Sequence, residues 1–157
     1  MAFAVDMGFD PLDAATALGV GSLLTIGGIL LFGVLSDRIG REITGILAYV
    51  VSIVGVICAL FISGPTHFWI FWLHACLFGI TWGTRGPLIT AKSADLFHGR
   101  QLGLIFGVIS IGTGIGSSVG TWMSGWIFDV FGSYQLSFVL SIVSYLGGCV
   151  LFWRLRG

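Results

Sequence analysis

Apolar residues in this chain come in long unbroken runs, not in the alternation of a strand or the three-and-four spacing of a surface helix. Five runs can be marked off: Leu12 to Val34, Ile43 to Ser63, Phe68 to Ala91, Gln101 to Phe128 and Tyr134 to Trp153. An α-helix rising about 1.5 Å per residue needs about 20 residues to cross a hydrocarbon layer about 30 Å thick, and each run has that length. Backbone amides find no water in lipid, so each run predicts a helix that closes all its hydrogen bonds within itself. The expectation is an all-α integral membrane chain of five transmembrane helices. Segments between the runs are short and hold nearly all the charge, which leaves no room for a folded soluble domain.

Composition agrees: 56% of residues are hydrophobic and 9% charged, against roughly 25% charged in a soluble domain. The few charges are sorted. Arg38 and Arg41 follow the first run, Lys92 and Arg100 lie between the third and fourth, and Arg154 and Arg156 follow the fifth. These six fall on one side, while Asp6, Asp10, Asp13 and Asp129 fall on the other. Basic residues in short loops stay in the cytoplasm, which predicts a cytoplasmic carboxyl end, an outside amino end and residence in the plasma (inner) membrane. MAFAVDMGFD lacks the basic start of a signal sequence, and Phe3 to Val5 suit the last turn of a helix. Residues 1–11 are therefore read as the tail of a preceding helix and an outer loop, and 12–157 as the carboxyl-terminal piece of a larger protein. Cys58, Cys76 and Cys149 lie in three different runs without metal-ligand spacing, as packing residues do.

The exit of the first run, GVLSDRIGR, carries the densest signal. Gly33, Asp37 and Gly40 recur as Gly125, Asp129 and Gly132 in GWIFDVFGS, at an offset of 92 residues that Gly28 and Gly120 also obey. Three runs separate equivalent positions, so the copies lie on opposite faces of the membrane. This is an inverted-topology repeat, found in many secondary transporters.

GVLSDRIGRE resembles the signature loop of the major facilitator superfamily in its second-half copy. The order GTRGPLITAKSADLFHGRQLGLIFG, a glycine-rich helix and then GWIFDVFGSYQLSF is most similar to the monocarboxylate and oxalate/formate carrier branch. The resemblance implies helices eight to twelve of a twelve-helix fold, plus the tail of the seventh. It implies a conformational gate at Gly33, Asp37, Arg38, Gly40 and Arg41, in which Asp37 pairs with the positive end of a neighbouring helix and nearby basic groups. It also implies that the first, third and fourth runs line a central cavity while the second and fifth face lipid. Glycine is concentrated in the former three, and Gly112, Gly116 and Gly120 form one small-residue packing face. GTGIGSSVG lies in mid-run without a preceding strand, so it reads as helix packing and not as a nucleotide loop.

Polar residues inside the runs are the candidate cargo site, since each costs free energy in lipid unless it faces a cavity or a partner. At 100° per residue His74, Phe78, Thr81, Trp82 and Arg85 form one stripe on the third run, with Gly79, Gly83 and Gly86 turned away. Arginine can grip both oxygens of a carboxylate, and histidine can carry a proton near neutral pH. The competing readings are that Arg85 snorkels to the headgroups and that His74 is a satisfied structural residue. Pro87 is expected to distort this helix. Ser22 and Thr25 add hydroxyls from the first run, although such groups often bond their own backbone. Carriers of the resembled branch often have an arginine near Ile29, where this chain reads GILLFG.

These residues predict secondary transport of a small solute, a small organic anion such as a monocarboxylate, by alternating access. The alternatives are proton-driven efflux of drugs or metabolites and a truncated module that does not transport. Expected partners are lipid, an amino-terminal half and a small-molecule substrate, with no nucleic acid. No cofactor or metal is expected, though coupling to protons or a counter-substrate is. Paired carboxylates and the H-E-x-x-H string are absent from the runs, so enzyme chemistry is not expected.

Overall fold

A computed structural model describes residues 2–97 and 102–155, so Arg100, Gln101 and Arg156 lie outside the described residues. Seven α-helices follow one another: α1 (Ala2–Asp6), α2 (Pro11–Ile39), α3 (Arg41–Leu60), α4 (Phe68–Trp82), α5 (Arg85–Leu96), α6 (Leu102–Phe131) and α7 (Gln135–Arg154). Asp10 starts α2 by accepting from the Leu12 amide at 2.7 Å, with Pro11 in the first turn, where a missing N–H costs nothing.

Four of these helices, α2, α3, α6 and α7, are long and apolar enough to cross a membrane. The third run is interrupted near Pro87, where a distortion is expected. It is split into α4 and α5, and the sequence gives the cause: Pro87 has no N–H to offer the Gly83 carbonyl four residues back, and its ring crowds that oxygen. The chain tightens there, with the Thr84 amide and hydroxyl both donating to the Thr81 carbonyl, at 3.3 and 2.9 Å.

The repeat is present in the backbone. Gly40 ends α2 at φ +94° and Gly132 follows α6 at φ +63°. Each donates its amide four residues back, to Ser36 and Phe128, which are themselves 92 residues apart. A Cβ at either glycine would strain the left-handed turn, so the repeated glycines have a conformational reason.

Helix α2 packs on α4, and α3 packs on both α4 and α7. Small residues set the approach. A Cβ at Gly28 would collide with the Ile80 carbonyl oxygen, and one at Gly79 would stand 2.7 Å from the Gly21 Cα. On the α3–α7 seam Gly45 receives the Phe152 ring and Gly148 receives Tyr49. Ala14, Ala17, Ala59 and Phe71 are buried toward one end of the bundle, and Phe32, Ala48 and Leu88 toward the other. Helix α3 packs against α2, α4 and α7 on one side, while Ile43, Leu47, Val50, Val54 and Ile57 stay exposed on the side expected to face lipid. Among the described residues Gly112, Gly116 and Gly120 of α6 have nothing within reach of an added Cβ. Their packing face has no partner in this piece, and GTGIGSSVG lies inside the helix.

Candidate functional site

A cavity of about 390 Å³ lies between α1, α2, α4 and α7. One wall is α4, which contributes Phe71, His74, Phe78, Gly79 and Trp82. These positions share a face because they recur at three- and four-residue spacing. Ser22 and Thr25 enter from α2, and Phe138, Ser141 and Tyr145 from α7. The α7 residues were not legible as site residues under the expectation that the fifth run faces lipid. A signal was present nonetheless: Phe138, Ser141 and Tyr145 sit at i, i+3 and i+7, so two polar groups in an apolar helix share one face.

The expected stripe divides. His74 and Trp82 line the cavity, but Thr81 turns away and is fully buried against α3, where its hydroxyl accepts from Ser52 Oγ at 2.7 Å. Arg85 lies past the break, at the start of α5. Its Nη2 donates to Ser52 Oγ at 2.7 Å, and its Nε is buried with no protein acceptor. The guanidinium carbon stands 4.4 Å from the Tyr145 ring centroid, 5.4 Å from Tyr49 and 6.0 Å from Phe78. This is an aromatic box formed by α3, α4 and α7 around the Arg85 side chain. Two walls of the box, Tyr145 and Phe78, are also walls of the cavity.

His74 Nδ1 lies 2.7 Å from the Gly55 carbonyl oxygen. A carbonyl only accepts, so Nδ1 carries the proton, which leaves Nε2 as the ring's polar atom for the cavity. Its ring stacks on Phe78 with centroids 5.7 Å apart. Ser22 and Thr25 are occupied: Ser22 Oγ donates to the Leu18 carbonyl at 2.9 Å, and Thr25 Oγ1 lies 3.0 Å from the Gly21 carbonyl and 2.7 Å from that of Gly79 on α4. Thr25 thus ties α2 to α4.

At the α5 end of the bundle Asp37, with Ser36, Arg41, Thr84 and Pro87, borders a second cavity of about 170 Å³. Asp37 and Arg38 are exposed, and Asp37 has no hydrogen-bond or ion-pair partner among the described residues. The cross-links come from its neighbours instead. Arg41 pairs with Asp95, and Glu42 pairs with Lys92, so the first turn of α3 is tied twice to α5. Gly33 lines the same small cavity and Gly40 makes the turn into α3.

Long apolar helices around a polar-spotted cavity, with an inverted repeat in the backbone, define a multi-pass integral membrane protein. The chain belongs to the Major Facilitator Superfamily, whose family model matches residues 1–157. Monocarboxylate transporter 13 of Bos taurus is 28% identical over 145 residues, covering 91% of this chain and 33% of the relative. The uncharacterized MFS-type transporter YhjX of Escherichia coli (strain K12) is 31% identical over 108 residues, covering 69% of this chain and 26% of the relative. Multidrug resistance protein 2 of Bacillus subtilis (strain 168) is 25% identical over 148 residues, covering 94% and 36%. The chain thus spans about a third of the length of these curated relatives. No solved structure matches it.

Proposed function

We propose that the intact protein carries a small organic anion, with a monocarboxylate favoured, by alternating access between two six-helix halves of which this chain is most of the second. One observation carries the reading: Arg85 holds its charge inside the bundle, donates to a neutral hydroxyl, and has no carboxylate partner among the described residues. A desolvated guanidinium is costly without an anion, and a carboxylate cargo supplies one. The match to a relative named as a monocarboxylate transporter supports the same cargo class.

Proton coupling fits His74. With Nδ1–H held by Gly55, neutral His74 presents a lone pair that repels a carboxylate, whereas a proton on Nε2 makes it a donor. Anion and proton then bind together. The sorting of six basic residues to one side supports a cytoplasmic carboxyl end in a plasma (inner) membrane. The second reading, efflux of a bulkier drug or metabolite, is favoured by the aromatic lining of the cavity and by the multidrug relative.

The test is uptake by the intact protein in proteoliposomes. Arg85→Lys keeps the charge but loses the fork, and is expected to weaken uptake of labelled carboxylates about tenfold or more while sparing neutral solutes. Unchanged anion uptake and selectivity would assign Arg85 to structure alone.

A further inference from the structure

We infer that the cargo is a monocarboxylate with a bulky apolar body, aromatic rings fitting best, and that Tyr145 is a specificity-determining residue that binds its carboxylate. The inference rests on the anion reading above and narrows it.

The donors decide where a carboxylate can sit. It accepts hydrogen bonds and cannot donate them, so only cavity groups with an unspent N–H or O–H can bind it. Ser22 and Thr25 spend their protons on backbone carbonyls, and Ser141 donates to the Ser137 carbonyl at 2.9 Å. The Tyr145 hydroxyl and the Trp82 indole have no protein hydrogen-bond partner among the described residues. Arg85 lies directly behind the Tyr145 ring. The available donors therefore gather toward the α5 end of the cavity, with His74 joining them when protonated.

Beyond them the cavity wall is mainly apolar, and its hydroxyls, Ser22, Thr25 and Ser141, are spent on backbone carbonyls. From Trp82 to Phe71 it follows α4 for eleven residues, about 16 Å at about 1.5 Å per residue. The far end is lined by Phe3, Ala14, Ala17, Phe71 and Phe138, and among the described residues no Lys or Arg borders that end. A second carboxylate would lie unpaired against these rings, which excludes dicarboxylates. A two- or three-carbon acid would leave that surface uncovered, and a volume of about 390 Å³ is within the roughly 300–1,000 Å³ range of sites for larger organic ligands.

The experiment is competition and direct uptake by the intact protein in proteoliposomes, with 3-phenylpropionate, lactate and oxalate as probes. The expected result is a KM for 3-phenylpropionate at least tenfold below that for lactate, with no uptake of oxalate. Tyr145→Phe keeps the ring against Arg85 and removes only the hydroxyl. It is expected to raise the KM for 3-phenylpropionate about tenfold, with kcat little changed and an unaltered gel-filtration profile. Preference for lactate or oxalate would overturn the bulky-cargo inference while leaving anion transport standing. Preference for 3-phenylpropionate with an unchanged KM in Tyr145→Phe would overturn the role of Tyr145. Uptake of none of the three acids would overturn the anion reading, and this inference with it.

Discussion

Tyr134, at the turn before α7, donates its hydroxyl to Asp6 Oδ2 at 2.6 Å and packs edge-on against Phe3. Burial, the hydrogen bond to Asp6 and the charges of Asp6 and Asp129 push its pKa from 10.0 up to about 12. The sign follows from linkage: a phenol harder to ionise in the fold than in the open chain contributes stability fully below about 10, and loses it as pH rises through about 12. A tyrosinate absorbance titration of Asp6→Asn is expected to show one tyrosine moving down toward the ordinary value. An unmoved titration would remove Asp6 as a cause. Single residues differed in legibility. Arg85 is visible in sequence as a charge in an apolar run, but its box of Tyr49, Phe78 and Tyr145 draws on three helices and no local spacing reports it. Asp6 and Tyr134 are 128 positions apart, and their contact was equally hidden.

At the scale of the element, glycines in similar runs have opposite consequences. Gly28 faces the Ile80 carbonyl at the α2–α4 crossing, whereas a Cβ at Gly19 on the same helix meets nothing. Gly28→Ala is expected to force the helices apart and cost about 1–3 kcal/mol, read as a lower thermal midpoint of the intact protein in detergent. Gly19→Ala is expected to be neutral, or to stabilise by up to about 1 kcal/mol through helix propensity. Equal effects would refute the crossing as the reason for Gly28. Glycine frequency alone identified helices that need close neighbours but not which glycine touches what. The second run shows the limit: α3 has few glycines, yet one side of it packs on α2, α4 and α7, where Gly45 and Gly148 each receive a ring of the facing helix.

Across the whole molecule, one end of the bundle is cross-linked by Arg41–Asp95 and Lys92–Glu42, pairs that join the signature loop to the helix beginning at Arg85. The Arg41 and Asp95 side chains are 31% and 49% exposed, and ion pairs at such positions are worth about 0–1 kcal/mol. A weak, solvated Arg41–Asp95 pair would suit the gate that the signature loop implies, since it opens at little cost. In the intact protein Arg41→Asp is expected to change turnover with little effect on substrate KM, and Asp95→Arg in the same chain to restore it. Failure of the reversed pair to rescue would reduce the contact to an anchor. For Asp37, Asp37→Asn is expected to slow turnover and spare affinity.

The sequence by itself determined the solvent, the number of apolar runs and the inverted repeat. Lipid forbids any backbone but a self-satisfied helix, and a left-handed turn selects glycine wherever it recurs, so these features are local and leave local marks. Pro87 likewise marked the interruption of the third run, four residues after the carbonyl it cannot bond. Only the tertiary structure decided that Thr81 and Arg85 leave the His74–Trp82 face, that α7 contributes Tyr145 to the cavity, and that Arg41 and Glu42, not Asp37, bind α5. Those outcomes depend on which helix faces which. In a chain apolar on nearly every side, helix periodicity gives each residue a direction but does not say what waits there.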